Sequence, residues 1–428
     1  MQRQLRFLLS IALFWFSQYV FIPYFTPYLR ELGIIGSAAG IILGTYGFSQ
    51  MVLKTPLGIE ANRRGNHMPY MISGFACTIA SSAMLFFLTH PVAIFFARLV
   101  AGIGSTTWVS FIVYFTSLHD KKETGKTLAA IMIANNSGIL FSYIFGIFLF
   151  SAFGIRFLFA AAVASACAGF MLFLTIKDRG AGTEGSNVSI RGFKQIISNR
   201  SLLLFSTLFA LEQVVVFATV MSFTSDFIKT TLDAGGRELA MLSVVFSVAC
   251  ILGSYWMRTE LCGRIPAKYQ IAACFLLSAV YCVVVPVCYS ILLVYLMQVL
   301  IGIAQSVLMT LTMSLSLENI PSENRSAAMG LYQSIYSLGM TVGPILMGWL
   351  LDAYASYSAA FFTISVVNSA GLILCLALVR QASVRQAAGT PASVTQATGS
   401  QASVRQAAGT QAAGSQASVR QAAGTPSK

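Results

Sequence analysis

Twelve stretches of mostly apolar residues run through the chain, near 5–29, 37–57, 68–89, 91–117, 127–152, 157–176, 201–225, 238–257, 268–289, 291–317, 327–350 and 358–379. Each is long enough to matter, because a bilayer-spanning helix needs roughly 20 such residues. Lipid admits only helices and closed barrels, since every backbone polar group must find its partner internally. The short alternating segments of a barrel do not occur here. The expectation is an all-α membrane protein with twelve transmembrane helices. Composition agrees: 56% of residues are hydrophobic and 10% charged, whereas soluble domains are about 25% charged. The first stretch is aromatic and lacks an A-x-A-like cleavage site, so it reads as a retained helix rather than a signal peptide.

The net charge of +13 could point to nucleic acid, but its distribution argues for lipid. With the N-terminus in the cytoplasm, 21 of the 27 Lys and Arg fall on the cytoplasmic side. Four (Arg30, Arg156, Lys229 and Arg237) fall opposite, and Lys54 and Arg98 lie within helices. This is the positive-inside bias. It implies a multi-pass protein of the cytoplasmic membrane with both termini inside, and no nucleic-acid partner. The eight cysteines show no CxxC pair or zinc spacing, so neither metal nor cofactor is expected.

The polar segment 177–200 divides the stretches six and six. The halves echo each other: ARLVAGIGS (97–105) aligns with MQVLIGIAQ (297–305), and LFWFSQYV (13–20) with LFALEQVV (208–215). A recurring offset of about 200 supports duplication. The expected organisation is an N-terminal six-helix bundle (1–176), a cytoplasmic central loop (177–200), a C-terminal six-helix bundle (201–380) and a tail (381–428). The tail repeats QASVRQAAGT and carries no aromatics or long apolar run, which predicts disorder.

Between the second and third stretches lies GIEANRRGNH (58–67), a polar cluster bracketed by glycines. It resembles the loop signature G-x-L-a-D-R-x-G-R-(R/K) of the major facilitator superfamily, matching at Gly58, Ala61, Arg63 and Gly65. Glu60, Asn62 and Asn66 depart from it. RTELCGR (258–264) resembles the same core through Glu260, Gly263 and Arg264. The resemblance covers residues 1–380. It implies two pseudo-symmetric six-helix bundles and a gating role for this loop. The physics is compatible, because arginines there can bridge to carboxylates or helix C-termini of the facing half in one conformation and release them in another.

RLVAGIG (98–104) resembles the family's R-x-x-x-G-x-G signature. Arg98 lies roughly 10 Å into the membrane at 1.5 Å per residue. An ionisable group at that depth is presumed functional, here for an anionic substrate or a proton path. Gly102 and Gly104 let a neighbouring helix approach closely. Glu212 is the only acid well inside a predicted span, and a carboxyl that exchanges a proton as access alternates is the simplest coupling device. The resemblance makes helices one, four, seven and ten line a cavity. It thereby nominates Trp15, Gln18, Tyr19, Trp108, Gln213, Gln298 and Gln305 as solute contacts. The fifth helix lacks the Gly-Pro run of drug/proton antiporters. A similar run in the eleventh, with Gly339, Gly343 and Pro344, predicts a bend and close packing.

No Ser-His-Asp set or phosphate loop is present, which argues against an enzyme. The sequence thus predicts a monomeric secondary transporter that moves a small organic solute, with protons as coupling ion. A non-transporting sensor or assembly protein on the same scaffold is the alternative, as is a drug or metabolite exporter within transport.

Overall fold

The structure, a computed structural model, describes residues 2–118, 124–176, 190–257, 259, 262, 264–321 and 324–379. Among them the regular elements are all helical. The tail from 381 and residues 177–189 of the central segment lie outside the described residues, as do Glu260 and Gly263.

Helices α1 (Gln2–Tyr19) and α2 (Ile22–Glu31) make the first crossing. The break between them follows from Pro23, which lacks the N–H that would bond the carbonyl of Tyr19. Then come α3 (Gly36–Arg64), α4 (Met68–Phe87), and α5 (Pro91–Thr106) continued by α6 (Trp108–Ser117). Helix α7 (Thr124–Leu174) has 51 residues. At 1.5 Å per residue it would be about 76 Å long, far beyond a bilayer core of about 30 Å. It is two crossings, turned at Gly154, whose φ of 70° and ψ of −176° no helix accommodates.

A short helix α8 (Ile190–Ile197) precedes the seventh crossing, built from α9 (Arg200–Ala218), a π-helical segment (Thr219–Phe223) and α10 (Thr224–Thr231). Asn199 caps α9 by accepting from the Leu202 N–H at 2.9 Å. The last five crossings are α11 (Gly236–Trp256), α12 (Ala267–Val284), α13 (Ile291–Leu317), α14 (Arg325–Tyr354) and α15 (Tyr357–Leu378).

Ten of the described helical stretches are long and apolar enough to cross a membrane by composition alone. Dividing α7 at Gly154 and adding α3 gives twelve. Helix α3 is less apolar because it carries Lys54 and several glycines that face α14 rather than lipid. A Cβ on Gly40 would sit 2.3 Å from the Pro344 carbonyl oxygen, so the two backbones touch there.

The duplication is visible in the packing. A Cβ on Gly102 of α5 would meet the Tyr46 carbonyl of α3 at 2.4 Å. A Cβ on Gly302 of α13 would meet the Phe246 carbonyl of α11 at 2.8 Å. Both residues of the pair recur 200 positions on. Gly104 faces α4, while Gly339 and Gly343 lie against the α9 carbonyls of Ala210 and Val214. Pro344 is inside a continuous α14.

Most of GIEANRRGNH is helical. Helix α3 runs through Arg64, and the reversal is confined to Gly65, Asn66 and His67. Gly65 takes a φ of 64°, the left-handed conformation glycine adopts without penalty. Gly58 is an interior helical residue whose nearest neighbour to an added Cβ is a Val109 methyl at 3.9 Å.

Candidate functional site

The first and seventh crossings leave the α-helix at matching depths, at Val20–Phe21 and at Thr219–Phe223. Thr219 helps by donating its hydroxyl back to the Val215 carbonyl at 2.8 Å. Interrupted helices at the midpoint of a repeat protein are where carriers place solutes, and π segments concentrate at functional sites. A cavity lies at these two breaks, with about 460 Å³ of empty space that includes its opening to solvent. Gln18, Tyr19, Ile22 and Phe25 of the first crossing line it, with Leu43 and Tyr46 of α3 and Arg98 of α5. The second half contributes Phe217, Met221 and Ser222.

Arg98 dominates the electrostatics of this space. It is 4% exposed, with its guanidinium carbon 4.6 Å from the Tyr46 ring centre and 5.3 Å from that of Phe25. Its Nε and Nη1 make no hydrogen bond. The close approach of α5 to α3 at Gly102 brings the Tyr46 ring to the arginine. The Tyr46 hydroxyl shares a hydrogen bond with Ser105 at 2.8 Å. Gln18 donates from Nε2 to Thr78 Oγ1 at 2.9 Å and to the Ala101 carbonyl at 3.3 Å, tying the first, third and fourth crossings together. Trp15 packs edge-on against Trp108 at 5.4 Å and lies 5.8 Å from Tyr19, but neither tryptophan is among the cavity-lining residues.

The other residues singled out from sequence lie elsewhere. Glu212 is fully buried inside the second half, where Oε1 accepts from Ser278 at 2.6 Å and Oε2 has no partner. Gln298 donates to Tyr281 at 3.2 Å, and Tyr281 shares a hydrogen bond with Thr224 at 2.8 Å. Gln213 packs beside Gly339, and Gln305 is half-buried. None of these four is among the cavity-lining residues.

In the loop, Arg63 is exposed. Glu60 pairs with Arg64 of the same helix at 2.6 Å. Asn62 lies on α3, and Arg264 is among the described residues.

Sequence reading missed two features. Lys54, 3% exposed, is held at the seam between the halves: Nζ donates to Tyr336 at 3.1 Å and lies 4.7 Å from that ring's centre. At the face formed by the ends of α2 and α10, Arg30 grips Asp226 through two hydrogen bonds of 2.7 Å. Tyr357 bonds both partners. Lys229 pairs with Glu31, and Ser37 donates its N–H to Asp352 at 2.8 Å. These contacts fasten the halves together on one side of the cavity. The unusual charge density of the Arg30–Glu31 and Asp226–Lys229 segments was the available signal.

Twelve crossings in two related halves, with a polar-centred cavity between them, define a membrane protein of the carrier architecture. The family model of the Major Facilitator Superfamily matches residues 7–257 and again 213–419, so the chain belongs to that family. Among curated proteins it is similar to Multidrug resistance protein 2 of Bacillus subtilis, at 23% identity over 82% of this chain and 90% of that one. Among solved structures it resembles a variant of the nucleoside transporter NupG, with a TM-score of 0.75 and 13% identity over 88% of this chain and 100% of that one. A bacterial homolog of the human lysosomal transporter Spinster follows, with a TM-score of 0.64 and 15% identity over 88% and 94%.

Proposed function

We propose that this chain is a secondary active transporter that carries a small organic solute through the Arg98 cavity by alternating access, coupled to protons through Glu212. One observation carries the reading: a cavity lined from both halves sits where the first and seventh crossings are both interrupted. The Arg30–Asp226 face is fastened in this conformation and must release in the other. By the charge bias, the N-terminal face is cytoplasmic. Relatives named for multidrug resistance and nucleoside transport support a solute carrier.

Reconstitution tests this. Glu31 and Lys229, which pair across the fastened face, are both replaced by cysteine. Uptake of labelled uridine, benzoate and tetraphenylphosphonium into proteoliposomes is followed with and without a pH gradient. The expected result is uptake of at least one probe above protein-free vesicles, driven by the gradient, stopped by oxidising the cysteine pair and restored by reduction. Uptake of none of the probes, with a cysteine pair that never escapes cross-linking, would overturn the transporter reading.

A further inference from the structure

Resting on that reading, we propose that the cavity is built for an organic anion: one acidic head group bound by Arg98, joined to a flat apolar body held by the apolar lining.

The argument starts from the arginine's lack of neutralisation. Placing an arginine at this depth costs about 2.5–3.5 kcal/mol on insertion scales. Such a group normally recovers that cost from a carboxylate or from carbonyls. Here two guanidinium nitrogens have no hydrogen-bond partner, and among the described residues no acid pairs with it. The two ring faces contribute about 0.5–2 kcal/mol each at most. The Tyr46 and Phe25 rings flank the guanidinium carbon without neutralising it, and the side chain lines the cavity. An acidic group there would meet an uncompensated cation of the kind carboxylates and sulfonates bind through charge-assisted hydrogen bonds.

No acid is among the cavity-lining residues. The other buried basic side chain, Lys54, also meets hydroxyls and a ring rather than an acid. The buried acid Glu212 is turned away from the cavity, toward Ser278. A cationic solute would therefore enter a positively charged space with no counter-charge on its walls. A neutral solute can accept a hydrogen bond from the guanidinium but leaves its charge uncompensated. An anion satisfies both requirements. The other cavity surfaces, Phe25, Leu43, Phe217 and Met221, offer apolar contact to its body.

The test uses three ligands of one shape and three charges: naphthoate, naphthamide and naphthylmethylammonium. Binding to the purified full chain in detergent is read by thermal stabilisation, since a ligand of the folded state raises the melting temperature. In wild type, naphthoate is expected to bind at least about tenfold more tightly than the amide, as the loss of a charge-assisted hydrogen bond implies, and the ammonium least of all. Arg98→Gln should erase the preference for naphthoate over naphthamide, and Arg98→Lys should keep part of it. Lys54→Gln removes a buried basic group outside the cavity and should keep all of it. Equal or weaker binding of naphthoate relative to naphthamide in wild type overturns the proposal without any variant having to fold. So does a preference that survives Arg98→Gln. Naphthoate that binds with this preference but is not carried would leave the anion site standing and count against transport. A carrier that prefers the amide or the ammonium would do the reverse.

Discussion

Arg30 and Asp226, 196 positions apart in the chain, meet as a two-point ion pair that joins the two halves on one side of the cavity. Asp226 is 2% exposed and Arg30 38%. Breaking a fully buried pair costs about 3–5 kcal/mol. Because the arginine is partly hydrated, we expect about 1–2 kcal/mol here. In a protein with two conformations that energy appears as a population shift, about tenfold for each 1.4 kcal/mol. Asp226→Asn should therefore populate the conformation open at this face. Spin labels at Ile35 and Thr231, both exposed beside the pair, should report a new long-distance component. An unchanged distance distribution would show that the pair does not hold the face shut.

Two glycines of the family signatures should respond oppositely to alanine. At Gly102 the added methyl would sit 1.9 Å from Ser49 Oγ and 2.4 Å from the Tyr46 carbonyl. The helix pair must separate, and overpacking of this kind costs about 1–3 kcal/mol. Gly58 has room, and replacing a helix-interior glycine with alanine gains about 0.5–1 kcal/mol. Melting temperatures in detergent should fall for Gly102→Ala and rise for Gly58→Ala. A Gly58→Ala protein that is more stable yet inactive in transport would place the need for glycine in the other conformation, where a gate would act.

Hydrophobicity is local, so the crossings were legible in the sequence. Each of the twelve expected stretches overlaps one described crossing and overruns it by five residues at most, and the offset of 200 reappears in Gly102–Tyr46 and Gly302–Phe246. Arg98, singled out by its depth in the membrane, and Gln18 and Tyr19, nominated by the family resemblance, all line the cavity. Tyr46, Phe25, Phe217 and Met221 could not be picked out. An aromatic or methionine in a greasy helix looks the same whether it faces lipid, a neighbour or a solute. The Arg30–Asp226 pair was hidden for another reason. It joins residues whose charges, taken singly, look like loop charges. The loop at 58–67 misled because glycines and charges suggest a turn, whereas α3 carries the chain through Arg64 before Gly65 reverses it.

His67 makes that reversal pH-sensitive. Its ring is buried beneath the turn, and neither nitrogen has a hydrogen-bond partner. Burial disfavours the charged ring and lowers its pKa to about 4. An unfolded histidine titrates near 6.5. Between those values the unfolded chain binds the extra proton, so stability is complete above about pH 6.5 and declines as pH falls toward 4. From pH 7.5 to pH 5 the loss should approach about 2 kcal/mol. His67→Leu should remove that part of the acid sensitivity. Thermal unfolding of both proteins at the two pH values measures it, and equal acid sensitivity would mean the imidazole finds a partner or water when protonated.

Glu212 sits away from the cavity wall, and this separates two roles a buried acid can have. As a scaffold, it accepts the Ser278 hydrogen bond between α9 and α12. As a proton carrier, it needs an oxygen free to bind and release a proton, and Oε2 has no partner. Glutamine keeps the shape and can still accept from Ser278 but cannot titrate. Alanine removes both functions and leaves the serine hydroxyl unsatisfied, at about 1–3 kcal/mol. Glu212→Gln should therefore melt close to wild type, and Glu212→Ala clearly lower. In proteoliposomes, Glu212→Gln should still exchange labelled for unlabelled solute across the membrane, a process that needs no net proton movement. It should lose accumulation against a gradient. Accumulation that survives in Glu212→Gln would move the coupling proton to another group and leave Glu212 as a strut between two helices.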